Sequence, residues 1–391
     1  MVDTFTFSRL PEIHFGIGKF EIIPKKIKQF GNKILLVTGK SSFINSKKGE
    51  WLINKLGSEN ITVEIVHVIA EPSVSFIDEV CKFHRNQNFS AILAIGGGSV
   101  LDAGKAISAM LAIDSSIKGF LEGLPASKPH PGSKVPLIAV PTTAGTGSET
   151  TKNAVISEVG ENGFKKSLRH ENFIPEIVIA DPELTLQCPP EVTAASGLDA
   201  FTQLLEAYVS TQASPITDAL ALQGLQYISN SLFKSFKQGN NIDARCDMSY
   251  AAMLSGIVLV NAGLGAVHGF ASSIAGFFDV PHGIICGTLL GAVNRKNIDK
   301  LLDGNGSNGL IEKYNNVGRL FIKETDSQGP HLLIAFADVI DKLIDGLQMP
   351  KLAKFGIKEE HIAKIVSNTT VKNNTIHLDK IDLSEILKKR I

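Results

Sequence analysis

Strand-like and helix-like segments alternate through the first half of the chain, and then the alternation stops. The runs "KILLVTG" (33–39), "ITVEIVHVI" (61–69), "AILAIGGG" (91–98) and "VPLIAVPTT" (135–143) are short, apolar and closed by turn residues, as strands buried on both faces should be. Residues 49–57, 73–86 and 100–112 place apolar side chains at helical spacing. "PEIVIADPEL" (175–184) adds one more strand, stopped by Asp181 and Pro182. Such alternation predicts a parallel sheet with helices on its faces.

After Cys188-Pro189-Pro190 strand signals nearly vanish. Helix-period segments follow over 194–210, 214–237, 243–261 and 264–277, and continue to the C-terminus. A chain of 391 residues also exceeds what one average core organises. The expectation is two domains, an α/β domain over 1–187 and an all-α domain over 188–391. "LLDGNGSNGL" (301–310) reads as a polar surface loop.

Composition narrows the partners. Lys+Arg and Asp+Glu both number 39, so no net charge draws the chain to nucleic acid or an anionic membrane. The four cysteines form no C-x-x-C pair, which fits reduced thiols in the cytoplasm. No basic and apolar leader precedes residue 16. The most apolar run, 251–267, is interrupted by Ser255 and Asn261, so it predicts a buried helix rather than a membrane span.

Two loops follow strands and carry ligand chemistry. In "AIGGGSVLDAGKAI" a strand enters Gly96, Gly97, Gly98 and Ser99, then a helix bearing Asp102 and Lys105. Glycines let a backbone approach a ligand closely, and free amides at a helix start favour a phosphate. "VPTTAGTGSETT" offers the hydroxyls of Thr142, Thr143, Thr146 and Thr151 to a ribose or pyrophosphate. In the helical half, Asp199, Gln203 and Glu206 share one helix face. His268 and His282, the latter held between Pro281 and Gly283, are further candidate N/O ligands for a divalent ion.

These motifs, in this order, resemble the iron-containing (group III) alcohol dehydrogenase family. The resemblance rests on GGGS-x-x-D-x-x-K at 96–105, PTTAGTGSE at 141–149, "IPEIVIADPELTLQCPPEVTAASGLDAFTQLLEAY" at 174–208, "NAGLGAVHGFA" and "VPHG". It implies the dehydroquinate synthase-like fold, with a dinucleotide-binding α/β domain, a helical domain carrying the metal, and an active site between them. By position it implies that Gly96, Gly97, Gly98 and Ser99 cradle the pyrophosphate, with Asp102 in the same motif. Thr142, Thr143 and Thr146 would line the cofactor, Thr151 nearby, and Lys165 would stand by its ribose. Asp199, Gln203, His268 and His282 occupy the four metal-ligand positions, and the same Asp199, His268 and His282 would serve catalysis. The implied reaction is hydride transfer between nicotinamide and a small alcohol or aldehyde, in a homodimer.

Three departures qualify that inheritance. Gln203 stands where the family has His, and its neutral carbonyl is a poorer partner than imidazole for iron or zinc. Metal dependence therefore does not follow from the resemblance alone; without an ion, a histidine-centred proton donor would have to serve. Ser272 replaces a second family His. Gly39, followed by Lys40 and Ser41, replaces an Asp that bonds the adenosine ribose, which favours NADP(H) over NAD(H). Two rival readings remain: a maleylacetate reductase-like enzyme, with Arg169 or Lys105 as the cation for an acidic substrate, and a cofactor-binding protein with a degenerate metal site.

Overall fold

The computed structural model describes residues 4–322 and 329–391. The strands among them are β1 (Glu12–Phe15), β2 (Lys33–Gly39), β3 (Thr62–Val68), β4 (Ala91–Gly96), β5 (Leu137–Pro141), β6 (Asn153–Glu158), β7 (Phe164–Arg169) and β8 (Ile177–Ala180). Six of them form one sheet in the order β1-β8-β5-β4-β2-β3, and every adjacent pair is parallel. β6 and β7 form a separate antiparallel hairpin.

The period of two along each strand decides which core it feeds. Ile34, Leu36, Leu93, Ile95, Ile138, Val140, Ile177 and Ile179 face one way. There they pack with Ile23 and Ile27 of α1 (Ile23–Ile27) and with Leu52 and Leu56 of α2 (Lys47–Ser58). Leu35, Val37, Ile92, Ala94, Leu137, Ala139, Val178 and Ala180 face the other way. Their partners are Ile77 and Cys81 of α3 (Val74–His84) and Leu101 and Ile107 of α4 (Gly98–Met110). Both faces are covered over β2, β4, β5 and β8, which are nearly continuously apolar, as expected from the sequence. The edge strand β3, expected to be buried, is instead partly exposed and carries Glu64 and His67.

This arrangement also locates a crevice. The chain leaving β2 enters α2 on one face, and the chain leaving the adjacent β4 enters α4 on the other. Between strands whose exits diverge, the carboxyl ends leave a gap where ligands of such sheets bind.

Past β8 the chain is helical: α5 (Pro190–Tyr208), α6 (Pro215–Lys237), α7 (Ile242–Ala262), α8 (Ala266–Phe277), α9 (His282–Leu302), α10 (Asn308–Phe321) and α11 (Pro330–Gly346) lead to shorter C-terminal helices. α5 runs through the middle of this half; every residue from Gly197 to Tyr208 is buried. The expected apolar segment 251–267 is α7 and the start of α8, broken at Gly263. Among the described residues no single helix is long and apolar enough to cross a membrane, and this pair, which together passes that test, bends by 96°.

Two strand elements escape the apolar-run criterion. β1 is four residues long, and β6–β7 is polar. The expected loop 301–310 keeps its exposed middle, while its ends finish α9 and begin α10 with Ser307 as N-cap.

Candidate active site

The two sequence loops meet at the crevice. β4 and β5 end in register at Gly96 and Pro141, and the Thr142 amide donates to the Gly96 carbonyl at 3.0 Å. Gly97 is the N-cap of α4, and no side chain caps that helix start, whereas Ser46 and Ser73 cap α2 and α3. Its first-turn amides are therefore available to an anion. A Cβ on Gly98 would stand 2.7 Å from Thr146 Cγ2, so the close approach of the two loops requires glycine there. Gly97, Gly98, Ser99, Thr142, Thr143 and Thr146 are all half-buried, forming the floor of the crevice. Lys40 and Ser41, just past β2, are exposed at its rim.

Asp102, Lys105 and Thr151 belong to the support beneath these loops. Lys105 is buried, and its ammonium donates to the Ser148 carbonyl at 2.9 Å, to Thr151 Oγ1 at 2.7 Å and to the Asn153 carbonyl. It also pairs with Asp102 Oδ1 at 3.2 Å. Asp102 accepts in addition from Ser148 Oγ at 2.5 Å and from the Val155 amide at 3.2 Å. The loop is seated on α7 as well, where Thr150 Oγ1 lies 3.3 Å from the Met253 carbonyl.

The second half of the site lies among α5, α8 and α9. Asp199 Oδ1 stands 3.4 Å from His268 Nε2 and 3.7 Å from His282 Nε2. Cys286, one turn along α9 from His282, brings its Sγ to 3.7 Å from His282 Nε2 and 3.8 Å from His268 Nε2. One ligand atom from each of these four residues lies within 4.8 Å of all the others. Glu206 completes the back of the cluster: its Oε2 accepts from His268 Nδ1 at 2.7 Å and its Oε1 from the Val267 amide at 2.7 Å. Donation from Nδ1 leaves Nε2 as the atom turned to the cluster, the carboxylate–histidine arrangement that orients a metal-binding imidazole.

The electrostatics are those of a donor set. Burial would raise the Asp199 carboxyl, but the histidines at His282 and His268 hold it down at about 2. Burial would lower His268, yet Cys286, Asp199 and Glu206 keep it well above the usual imidazole range. Burial pushes His282 down to about 4 against the pull of Asp199, and pushes the Cys286 thiol up to about 12. Among the described residues Asp199 Oδ1 and His282 Nδ1 are buried without a well-formed hydrogen bond, the nearest donor to Oδ1 being His268 Nε2 at 3.4 Å. A buried carboxylate oxygen without a donor is costly. A divalent cation would satisfy it, so the residues present fit a metal.

Gln203 sits on the same face of α5, but its Oε1 lies 2.9 Å from Ser255 Oγ on α7. Cys286 escapes sequence reading because a cysteine in "HGIICG" resembles any core residue; its i+4 spacing from His282 is the signal that was available. Lys165, on β7, pairs with Glu71 Oε1 at 2.6 Å, and Glu71 Oε2 accepts from Ser157 Oγ of β6 at 2.6 Å. The charges of both Lys165 and Glu71 act on His282, so the hairpin borders the cluster. Lys105 is buried and fully engaged, so it is not presented to an acidic substrate, and Arg169 is exposed and pairs with Glu122 at 3.2 Å. Ser272 is exposed.

Comparison with known proteins agrees with this geometry. Residues 11–182 match the family model described as iron-containing alcohol dehydrogenase. Residues 193–391 match that of the Fe-containing alcohol dehydrogenase family, C-terminal. The chain is 34% identical over 274 residues to long-chain-alcohol dehydrogenase 1 of Geobacillus thermodenitrificans, covering 70% of this chain and 68% of that one. It is 41% identical over 227 residues to alcohol dehydrogenase 4 of Saccharomyces cerevisiae, 58% of either chain. Its fold superposes on that of an archaeal halo-thermophilic alcohol dehydrogenase from a Red Sea brine pool with a TM-score of 0.91 at 26% identity, covering 100% of this chain and 99% of that one. With a parallel-sheet half bearing the glycine crevice and a helical half bearing the Asp–His cluster, this chain belongs to the iron-containing alcohol dehydrogenase family, whose enzymes move hydride between a nicotinamide cofactor and a small alcohol or aldehyde.

Proposed function

We propose that the chain interconverts small aldehydes and alcohols with NADP(H), and that a divalent ion held by Asp199, His268 and His282 takes part. The observation that carries the reading is Asp199 Oδ1, a buried oxygen without a well-formed hydrogen bond among the described residues, ringed by imidazole and thiol donor atoms. It also favours a working centre over a degenerate one.

In this reading the uncapped start of α4, with Gly96, Gly97, Gly98 and Ser99, seats the pyrophosphate. Thr142, Thr143 and Thr146 line the cofactor. Asp102 and Thr151 hold the loops in place through Lys105. Lys165 stands on the nicotinamide side, oriented by Glu71. Gly39 offers no carboxylate against a 2′-phosphate, and Lys40 and Ser41 lie exposed beside it, which supports NADP(H).

A nicotinamide cofactor seated on these loops would supply or take up the hydride exchanged with the alcohol carbon. A bound ion supplies Lewis acidity at the alcohol oxygen. The protein's own part is to orient and to exclude water: α5 is buried around Asp199, and Glu206 fixes the His268 ring. The free thiols support a reducing, cytoplasmic setting. β1 pairs only with β8 among the described residues, which supports a homodimer using that edge. A division into domains at 187/188 would fall in the turn between β8 and α5. NADPH oxidation measured across short aldehydes and keto acids tests the reading. Turnover of aldehydes supports it, and turnover confined to keto acids overturns it.

A further inference from the structure

We propose that Cys286, and not Gln203, supplies the fourth protein ligand of the metal centre, so that the donor set is one carboxylate oxygen, two imidazole nitrogens and one thiolate, and the resident ion is zinc rather than iron. The proposal rests on the reading that the Asp199 cluster holds a divalent ion, and assigns a ligand within it.

The argument begins with spacing. His282 and Cys286 are four residues apart on α9, so their side chains leave the same face one turn apart. Asp199 comes from α5 and His268 from α8, and the three helices close around one point. Four atoms bound tetrahedrally to zinc at about 2.0–2.3 Å stand roughly 3.3–3.6 Å from one another. The observed separations are 3.4 Å from Asp199 to His268, 3.7 Å from Asp199 to His282, and 3.7 and 3.8 Å from Cys286 to His282 and His268. These four of the six edges lie within a few tenths of an ångström of that tetrahedron. All four donor atoms lie within 4.8 Å of one another, and the alcohol oxygen would enter as a fifth ligand. Cys286 is buried, and its neighbours here are the imidazole nitrogens of the cluster.

Gln203 has the opposite character. Its amide oxygen lies 2.9 Å from the Ser255 hydroxyl, which also contacts the Ala252 carbonyl at 2.7 Å and the Gly145 carbonyl at 3.3 Å. That link fastens α5 to α7 and to the loop before Thr146. An amide oxygen is moreover a hard, neutral donor. A thiolate is soft, and together with two imidazoles it favours zinc, which already stands above ferrous iron in intrinsic affinity. On coordination the Cys286 S–H bond breaks, the sulfur keeps the electron pair as it bonds to the ion, and the proton leaves to solvent.

Cobalt(II) substitution of the full chain tests the assignment, because sulfur ligation adds a near-ultraviolet charge-transfer band that nitrogen and oxygen ligands do not give. The band is expected in the wild type and in Gln203→Ala, and is expected to vanish in Cys286→Ser. Zinc affinity, measured by competition with a chelating dye, should fall at least 10-fold in Cys286→Ser and remain within about 3-fold in Gln203→Ala. Anaerobic loading from equal zinc and ferrous iron should yield the zinc form. Cobalt bound to wild type without the band overturns the ligand assignment and leaves the metal reading standing. So does an ion lost in Gln203→Ala but kept in Cys286→Ser. A chain with native circular dichroism that takes up neither cobalt nor zinc overturns both. The wild-type spectrum is decisive even where a variant fails to fold.

Discussion

Glu206 acts on the Asp199–His268–His282 cluster through a neighbour. Its two oxygens are committed to His268 Nδ1 and the Val267 amide, both at 2.7 Å, so it sets which imidazole nitrogen faces Asp199. Glu206→Gln keeps the shape and removes the charge; metal affinity is expected to fall about 10–100-fold, read by competition dialysis. A second prediction concerns Gly39. A Cβ there meets nothing nearer than Ser42 Oγ at 3.8 Å, so Gly39→Asp is sterically permitted. It places a carboxylate where a 2′-phosphate would lie, and the ratio of kcat/KM for NADPH over NADH should drop by roughly 10-fold or more. An unchanged ratio would put the adenosine end of the cofactor elsewhere. At this scale Asp199, His268 and His282 were legible from their motifs, and Glu206 from its place on the same helix face. Cys286 was not, because its neighbours in sequence are apolar and its partners come from α5 and α8.

At the scale of elements, the inner parallel strands β2, β4, β5 and β8 could be read because burial on both faces makes them nearly continuously apolar. The hairpin β6–β7 obeys another rule. Ser157 and Lys165 are used to hold Glu71, and one face packs on α4 through only a few apolar residues such as Ala154, Ile156 and Leu168. A polar ribbon of this kind leaves no apolar run to find. The seat of the threonine loop on α7 was equally invisible, since it is made of a close backbone approach at Gly147 and Gly256 and of single hydroxyls, Thr150 and Ser255, bonded to carbonyls. A Cβ on Gly256 would stand 2.1 Å from the Gly147 carbonyl oxygen and 2.3 Å from Thr150 Oγ1. Gly256→Ala must therefore push the loop off the helix. A loss of about 1–3 kcal/mol in urea denaturation is expected, together with weaker cofactor binding by fluorescence titration. Full stability with unchanged cofactor affinity would contradict the role given to this contact.

Across the whole molecule, the sheet half and the helical half are joined by buried polar groups as well as by apolar packing, and a buried carboxyl in the threonine loop makes stability depend on pH. Glu149, in the threonine loop, is buried, and burial raises its carboxyl to about 7 despite the nearby Lys105. The folded chain thus binds this proton more tightly than the unfolded chain. Its stabilising effect is complete in acid and is lost as pH rises from about 4.5 to about 7. Relative to Glu149→Gln, the wild type should lose stability across that window by an amount on the order of 3 kcal/mol, and the difference should then level off. Unfolding free energies measured from pH 4 to 8 check this; parallel curves would refute it. The central claim is that the Asp199 cluster binds a divalent ion on which nicotinamide-linked turnover depends. Elemental analysis of the purified protein, paired with NADPH-linked aldehyde reduction before and after chelation, tests it most directly. The account predicts one divalent ion per chain, with activity abolished by the chelator and restored by adding metal back. Undiminished turnover by metal-free protein would contradict it.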